Sequence, residues 1–394
     1  MTANVKESYS HIIVRGNPFT RGRSYGQQTK EKIISNINFY KNSGVLPDWD
    51  KVCKYINSHY MNALEKYYPS GLNEMKGIAM GSGVDIEDIV LLNSRYEMLR
   101  WSRHLHIKSK VTDQLQECTG AVCLSKATKS GEVLIGQNWD INERILNDEI
   151  GVLLEVHPDA TENIAPFFML TEAGQLGRSG MNANGLGIIA MGLLSSEDHF
   201  SATTTTGFLP ITLLRRMFIE SPTFAVGLKR MTSVPRHVSV NMIVATAEGE
   251  AINLEMTPNH CFMAYPSIKS EVYTHSNHFK SDEFIANNSV KGANKSGSTL
   301  FRDRQLERGL MNEWPNIDEN SFVDAFKNHL GFPDALCLHI PDEGKEHTST
   351  SPKECTVANI VFNLSKRTVR LCKGQPCNGV YKEYGFNNNT NNMN

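Results

Sequence analysis

Cys118 opens a stretch, Cys118-Thr119-Gly120-Ala121-Val122-Cys123, that alternates like a β-strand. Lys129-Ser130-Gly131 supplies a turn, and a second strand-like stretch, Ile135-Gly136-Gln137-Asn138-Trp139-Asp140, ends in an acid. A free cysteine in an apolar strand is usually a small core residue. Its neighbours here point to chemistry as well. Thr119 and Gly120 are small and leave room for backbone to approach the sulfur. The strand also starts at the cysteine, so a cut before it would free its amide nitrogen. An α-amine has a pKa of ~8 and can take up a thiol proton at neutral pH. One residue would then be both nucleophile and base, with no separate histidine needed. On this reading the chain is a precursor cut between Glu117 and Cys118.

The elements around this hairpin change character along the chain. Before it the pattern is mostly helical: Tyr25–Tyr40, Asp48–Tyr68, Gly71–Met80 and Asp85–Leu99 carry apolar residues at helical spacing. Pro69 and Gly81-Ser82-Gly83 punctuate them. After it, strands are expected at Val152–Val156, Phe167–Thr171, Gly185–Leu194, Ser239–Ala245 and Ala251–Met256, with a helical insert at Leu209–Met231. Helices Thr299–Asn312 and Asn320–Leu330 precede a last hairpin, Cys355–Asn363 with Thr368–Cys372. Helices followed by hairpin strands do not make a regular βαβ alternation. Antiparallel sheets with helices packed outside them, an α+β fold, fit the order better. The expected organisation is a helical segment 1–117, a catalytic unit 118–386 and a disordered Asn-rich tail 387–394.

Composition excludes several function classes. The 394 residues include 40 basic and 42 acidic side chains, a net charge of −2, so neither nucleic acid nor an anionic membrane is implied as a partner. The longest apolar runs are too short to span a bilayer. The first residues carry no secretory pattern and the last carry no peroxisomal tripeptide, so a cytoplasmic protein is expected. The eight cysteines read as reduced thiols, and no Cys-x-x-Cys spacing occurs, which argues against zinc. No metal and no cofactor are expected.

The chain resembles the acyl-coenzyme A:6-aminopenicillanic acid acyltransferase family of N-terminal-nucleophile hydrolases. The resemblance rests on the Cys118-Thr119 pair followed by Gly136-Gln137-Asn138-Trp139-Asp140. It extends through Gly16–Gly26, Gly77–Gly83, Leu92–Glu97, Thr171–Gly174, Gly180–Gly185, Thr274-His275-Ser276-Asn277-His278-Phe279, Asn359–Val361 and Gly374–Pro376. It implies a four-layer αββα sandwich and a reaction in two acts. The Cys118 thiol first attacks the carbonyl of Glu117. As a new N-terminus it then attacks a small N-acylated amine or amino acid, through a thioester. The resemblance assigns an oxyanion donor to Asn277 and an orienting acid to Asp140, which also binds substrate amine. It places Lys353 where the family carries an arginine; lysine keeps the charge and loses the planar fork. Glu117 stands where the penicillin-acting member has glycine, which accommodates unusual backbone angles at lower cost.

His275 and His278 flank Asn277, but no third metal ligand is evident, so they read as structural. Trp139 reads as a packing residue. Arg302 and Arg304, at a helix start, read as packing and surface-pairing residues. The expected partners are a small N-acyl substrate and the chain's own N-terminal fragment in an αβ heterodimer. Hydrolysis is favoured over transfer from acyl-coenzyme A to an amine, and β-alanyl amines are one substrate class within the family. The rivals are an unprocessed, non-catalytic binding relative and a papain-like enzyme with a histidine base.

Overall fold

The computed structural model describes residues 7–105, 117–200, 207–287, 289–292, 296–341 and 353–386. The Asn-rich tail 387–394 lies outside the described residues, as do the residues between 105 and 117. The strands are β1 (Ser10–Gly16), β2 (Glu117–Cys123), β3 (Leu134–Asn142), β4 (Gly151–Pro158), β5 (Phe167–Glu172), β6 (Ser179–Asn182), β7 (Leu186–Gly192), β8 (Val240–Thr246), β9 (Glu250–Met256), β10 (Cys261–Ala264), β11 (Val272–His275), β12 (Glu354–Asn363), β13 (Thr368–Lys373) and β14 (Tyr381–Gly385). The helices before β2 are α1 (Pro18–Gln28), α2 (Lys30–Asn42), α3 (Trp49–Ile56), α4 (Asn62–Tyr67), α5 (Pro69–Ser82), α6 (Ile86–Asn93) and α7 (Arg95–His104). Later come α8 (Arg144–Asn147), α9 (Ile211–Ile219), α10 (Phe224–Thr232), α11 (Asp282–Ala286), α12 (Thr299–Glu313) and α13 (Glu319–Ala325).

Two sheets result, ordered β1-β4-β5-β6-β7-β8-β9-β10 and β11-β2-β3-β12-β13-β14. Strand periodicity explains how they stack, because alternate residues face opposite sides. Leu153, Phe168, Leu170, Ile189, Met191 and Ile243 of the first sheet meet Cys118, Val122, Ile135, Trp139, Ile141 and Ile360 of the second in one buried cluster. The alternate residues of the first sheet, among them Leu154, Met169, Ile188 and Val244, pack under the N-terminal helices and α9. The outer face of the second sheet, with Ala121, Cys123 and Leu134, packs under Leu306 and Leu310 of α12 and Phe322 and Phe326 of α13. The order of layers is helices, sheet, sheet, helices: the αββα sandwich that the resemblance implied.

The helical reading of the first third holds, with four differences, the first being that the expected helix Asp85–Leu99 breaks at Ser94 into α6 and α7. Thr29 interrupts the first helix, its hydroxyl bonding back to the Tyr25 carbonyl at 2.8 Å. A π-helical turn, Asn57–Met61, interrupts the second. Ser10–Gly16 is a strand, and it pairs in parallel with β4. Among the described residues no helix is long and apolar enough to cross a membrane.

Candidate active site

Cys118 lies at an exposed strand position in topological terms and at a closed one in space. Strand β2 is flanked by β3 along its whole length, with Cys118 opposite Trp139 and Glu117 opposite Asp140. On its other side β11 covers β2 only from Cys123 back to Gly120, which pairs with His275. Two residues further along, where the register would set Asn277 opposite Cys118, the chain has left the strand and runs on toward Glu255 of β9 and α11. The Asn277 side chain replaces the missing strand: its Oδ1 accepts the Cys118 N–H at 2.9 Å. Thr299 Oγ1, at the start of α12, accepts from Asn277 N at 2.7 Å and holds that stretch in place.

Arg302 reaches the same spot from α12. Its Nη2 donates to Asn277 Oδ1 at 3.0 Å, and its Nη1 donates to the Cys118 carbonyl at 3.2 Å and to Thr119 Oγ1 at 2.6 Å. Ser298 Oγ, one turn earlier, accepts from Arg302 Nε at 3.1 Å. Two donors therefore face Asn277 Oδ1, while Asn277 Nδ2 donates to the Gly192 carbonyl of the facing sheet at 3.0 Å. That network sets which way the amide points.

The thiol itself points between the sheets, in the same cluster as Trp139. Arg178, just before β6, approaches Sγ with Nη2 at 3.6 Å and lies over the Trp139 ring at 4.2 Å. Trp139 thus packs, as expected, and its packing also positions a cation. Burial raises the Cys118 thiol above its ordinary range; Arg178 opposes that, and burial wins. Burial likewise lowers the Arg178 guanidinium, and the nearby sulfur partly offsets it. Burial therefore favours the neutral thiol over the thiolate, with the Arg178 cation beside the sulfur.

Asp140 lies on the opposite face of β3. Its Oδ1 accepts from Thr356 Oγ1 at 2.6 Å, and its Oδ2 lies 3.8 Å from Arg302 Nη1. Its backbone carbonyl is 4.0 Å from Cys118 Sγ. A β-bulge between Thr356 and Ala358 sets Thr356 opposite Asp140.

Cys118, Asp140 and Asn277, singled out in the sequence, are therefore brought together. Lys353 is exposed at the entrance to β12, its carbonyl accepting the Glu143 N–H at 2.8 Å. The buried cations touching Cys118 are instead Arg178 and Arg302. For Arg302 the expectation of a packing and surface-pairing residue is corrected: it is fully buried and bonded to the Cys118 carbonyl. The signal was available, since Arg302 shares a helix stripe with Leu306 and Leu310 at spacings of four. Arg178 sits alone in the turn between β5 and β6, and no periodicity marks it. His275 is structural, its Nε2 against Glu255 Oε1 at 2.8 Å and its Nδ1 against the Ser276 carbonyl.

Two face-to-face sheets between helical layers, with a thiol at the uncovered end of an inner strand, define the N-terminal-nucleophile class of fold. Within that class, the chain belongs to the acyl-coenzyme A:6-aminopenicillanic acid acyl-transferase family, whose model matches residues 126–378. That stretch begins after Cys118 and contains Asp140, Asn277 and Arg302. The chain is 25% identical over 376 residues to the 40 kDa form of acyl-coenzyme A:6-aminopenicillanic-acid-acyltransferase from Emericella nidulans, covering 93% of each chain. Among solved structures it is similar to a mutant of conjugated bile acid hydrolase from Clostridium perfringens, with 12% identity, a TM-score of 0.44, and 68% of this chain and 97% of that one covered. It is also similar to an N-acylethanolamine-hydrolyzing acid amidase ortholog from Caenorhabditis elegans, with 15% identity, a TM-score of 0.42, and 63% and 93% covered.

Proposed function

We propose that this chain is a self-processing cysteine amidohydrolase that cuts its own Glu117–Cys118 bond and then acts on a small N-acylated amine or amino acid. One observation carries the reading. Asn277 holds the amide nitrogen of the 117–118 bond, Arg302 holds the carbonyl of the same cysteine, and Arg178 stands at the thiol.

In the first act Sγ attacks the Glu117 carbonyl carbon. A C–S bond forms, the C–N bond breaks, and the thiol proton ends on the departing Cys118 nitrogen. Water then hydrolyses the thioester, leaving a carboxylate on Glu117 and a free thiol and α-amine on Cys118. In the second act that amine takes the thiol proton as the sulfur attacks the substrate carbonyl, and later returns it to the leaving amine. Asn277 Nδ2, directed toward Gly192 across the inter-sheet space where the thiol lies, is the side-chain donor assigned to the oxyanion. Asp140 acts through Arg302 and Thr356, keeping the guanidinium on the Cys118 carbonyl. The exposed Lys353 is assigned to the substrate's outer end.

A second reading, transfer from an acyl-coenzyme A to an amine, draws on the name of the Emericella nidulans relative. Turnover of an acyl-thioester with an amine, without hydrolysis of N-acyl amines, would favour it.

Intact-mass measurement of the purified wild-type chain and of Cys118→Ala tests the first act. The expected result is two wild-type fragments divided between Glu117 and Cys118, and one uncut variant chain. A cut elsewhere, or equal cutting in the variant, overturns the mechanism. A wild-type chain that stays whole favours the non-catalytic rival.

A further inference from the structure

A second cluster of chemistry-bearing side chains lies behind the site. His329 follows α13, Cys337 and His339 lie on the segment that follows it, and Cys377 sits in the connection between β13 and β14. One ligand atom from each of the four lies within 4.8 Å of all the others. His339 Nε2 is 3.1 Å from His329 Nε2, 3.5 Å from Cys337 Sγ and 3.5 Å from Cys377 Sγ. Cys337 is buried, Cys377 and His339 are half-buried, and His329 is exposed.

Hydrogen bonding alone is a poor account of this convergence. A ring nitrogen has one proton or one lone pair to offer, and His339 Nε2 has three neighbours at contact distance. A tetrahedral cation accounts for all of them. Metal–nitrogen bonds of about 2.0 Å and metal–sulfur bonds of about 2.3 Å place ligand atoms roughly 3.3 Å apart for two nitrogens and about 3.5 Å apart for nitrogen and sulfur. The observed 3.1 and 3.5 Å fall close to those edges. The donor set, two thiols and two imidazoles, is the one that selects zinc among common divalent cations.

The geometry points to a closed Cys2His2 site for a zinc-class divalent cation, formed by His329, Cys337, His339 and Cys377. Binding releases both thiol protons, so two thiolates balance the cation's two charges. With four protein ligands and no open position the site is structural rather than catalytic. It ties the segment around residues 329–339 to the β13–β14 connection. Leu338, between two of the ligands, is held on β12: its N–H donates to Thr356 Oγ1 at 2.9 Å and its carbonyl accepts from Thr356 N at 3.0 Å. The same Thr356 hydroxyl donates to Asp140. The cation would thus brace the wall behind the Asp140 carboxylate. No Cys-x-x-Cys pair announces the site because its ligands come from three separated stretches of chain.

The test uses the full-length chain, purified with a reductant and without added chelator, then exposed to zinc and desalted. Elemental analysis is expected to give one zinc per chain in wild type and in Cys118→Ala. Cys377→Ser and His339→Ala are expected to lose at least about nine-tenths of it under the same conditions. Cobalt(II) in place of zinc should give the thiolate-to-metal absorption and tetrahedral ligand-field bands. Should Cys377→Ser fail to fold by circular dichroism, His329→Ala, on the exposed ligand, carries the same expectation. A wild-type chain that takes up no zinc, equal loading in folded ligand variants, or a Cys337–Cys377 disulfide in reductant-treated protein overturns the site.

Discussion

At the scale of single residues, each polar group of Cys118 has a partner of its own. The Cys118 nitrogen faces an asparagine, its carbonyl faces Arg302, and its sulfur faces Arg178. Arg302 is the least replaceable of these, because one planar fork serves the Cys118 carbonyl, the Thr119 hydroxyl and Asn277 Oδ1 together. Lysine keeps the charge but cannot make those contacts at once. A hydrogen bond to a charged group contributes about 1.5–3 kcal/mol. Loss of one such contact in the transition state slows a reaction roughly ten- to hundredfold. Arg302→Lys is therefore expected to cleave at residue 117 at least about tenfold more slowly, followed as uncut chain against time on a gel. A folded variant that cleaves at the wild-type rate would show that the guanidinium is only a packing element.

At the scale of elements, the site depends on how closely β2 and β7 approach across the inter-sheet core. Gly120 faces β7, and a Cβ there would sit 2.5 Å from Ile189 Cδ1 and 3.2 Å from Met191 Sδ. Small residues beside Cys118 leave room for backbone near the sulfur, where the Asp140 carbonyl lies 4.0 Å from Sγ, and Gly120 also admits side chains of the opposite sheet. Gly120→Ala is expected to destabilise the fold by about 1–3 kcal/mol, the usual cost of overpacking. Ile189→Val removes the colliding methyl, so the double variant should be more stable than the sum of the two single effects predicts. Denaturant unfolding of all four proteins measures this, and simple additivity would mean that the sheets adjust their spacing freely.

The same elements show what was legible beforehand. Strands such as β8 and β9 and helices such as α12 carry strong local periodicity and lie close to where it placed them. β1, β10, β11 and β14 are short or lie at sheet edges, and their pairing depends on partners far along the chain. That Cys118, Asp140 and Asn277 lie near one another could be anticipated because each sits in a recognisable motif. Arg178 could not, because only the approach of the facing sheet makes it a neighbour of the sulfur.

At the scale of the whole molecule, a cut at residue 117 would leave two chains that share one core. β1 is hydrogen-bonded to β4, and the Tyr9 hydroxyl donates to the Val357 carbonyl of the other sheet at 2.8 Å. Buried ion pairs cross the same boundary. Arg95 Nε meets Glu172 Oε1 at 2.8 Å, and Arg216 Nη2 meets Glu74 Oε2 at 2.8 Å, all four side chains being almost fully enclosed. Glu97 accepts the Ile211 N–H at the start of α9, and Asn93 accepts from Leu176 N. Separation would strand a buried charge at each pair, and breaking such a pair costs about 3–5 kcal/mol. It would also expose the apolar face shared by the N-terminal helices and the first sheet. The fragments are therefore expected to remain a one-to-one complex after cleavage, seen as a single species by native mass spectrometry and as two only in denaturant. Each fragment, isolated in denaturant and returned alone to buffer, should fail to regain a cooperative unfolding transition. Fragments that part in native buffer would mean that residues 1–117 act as a removable pro-segment rather than as half of the enzyme's core.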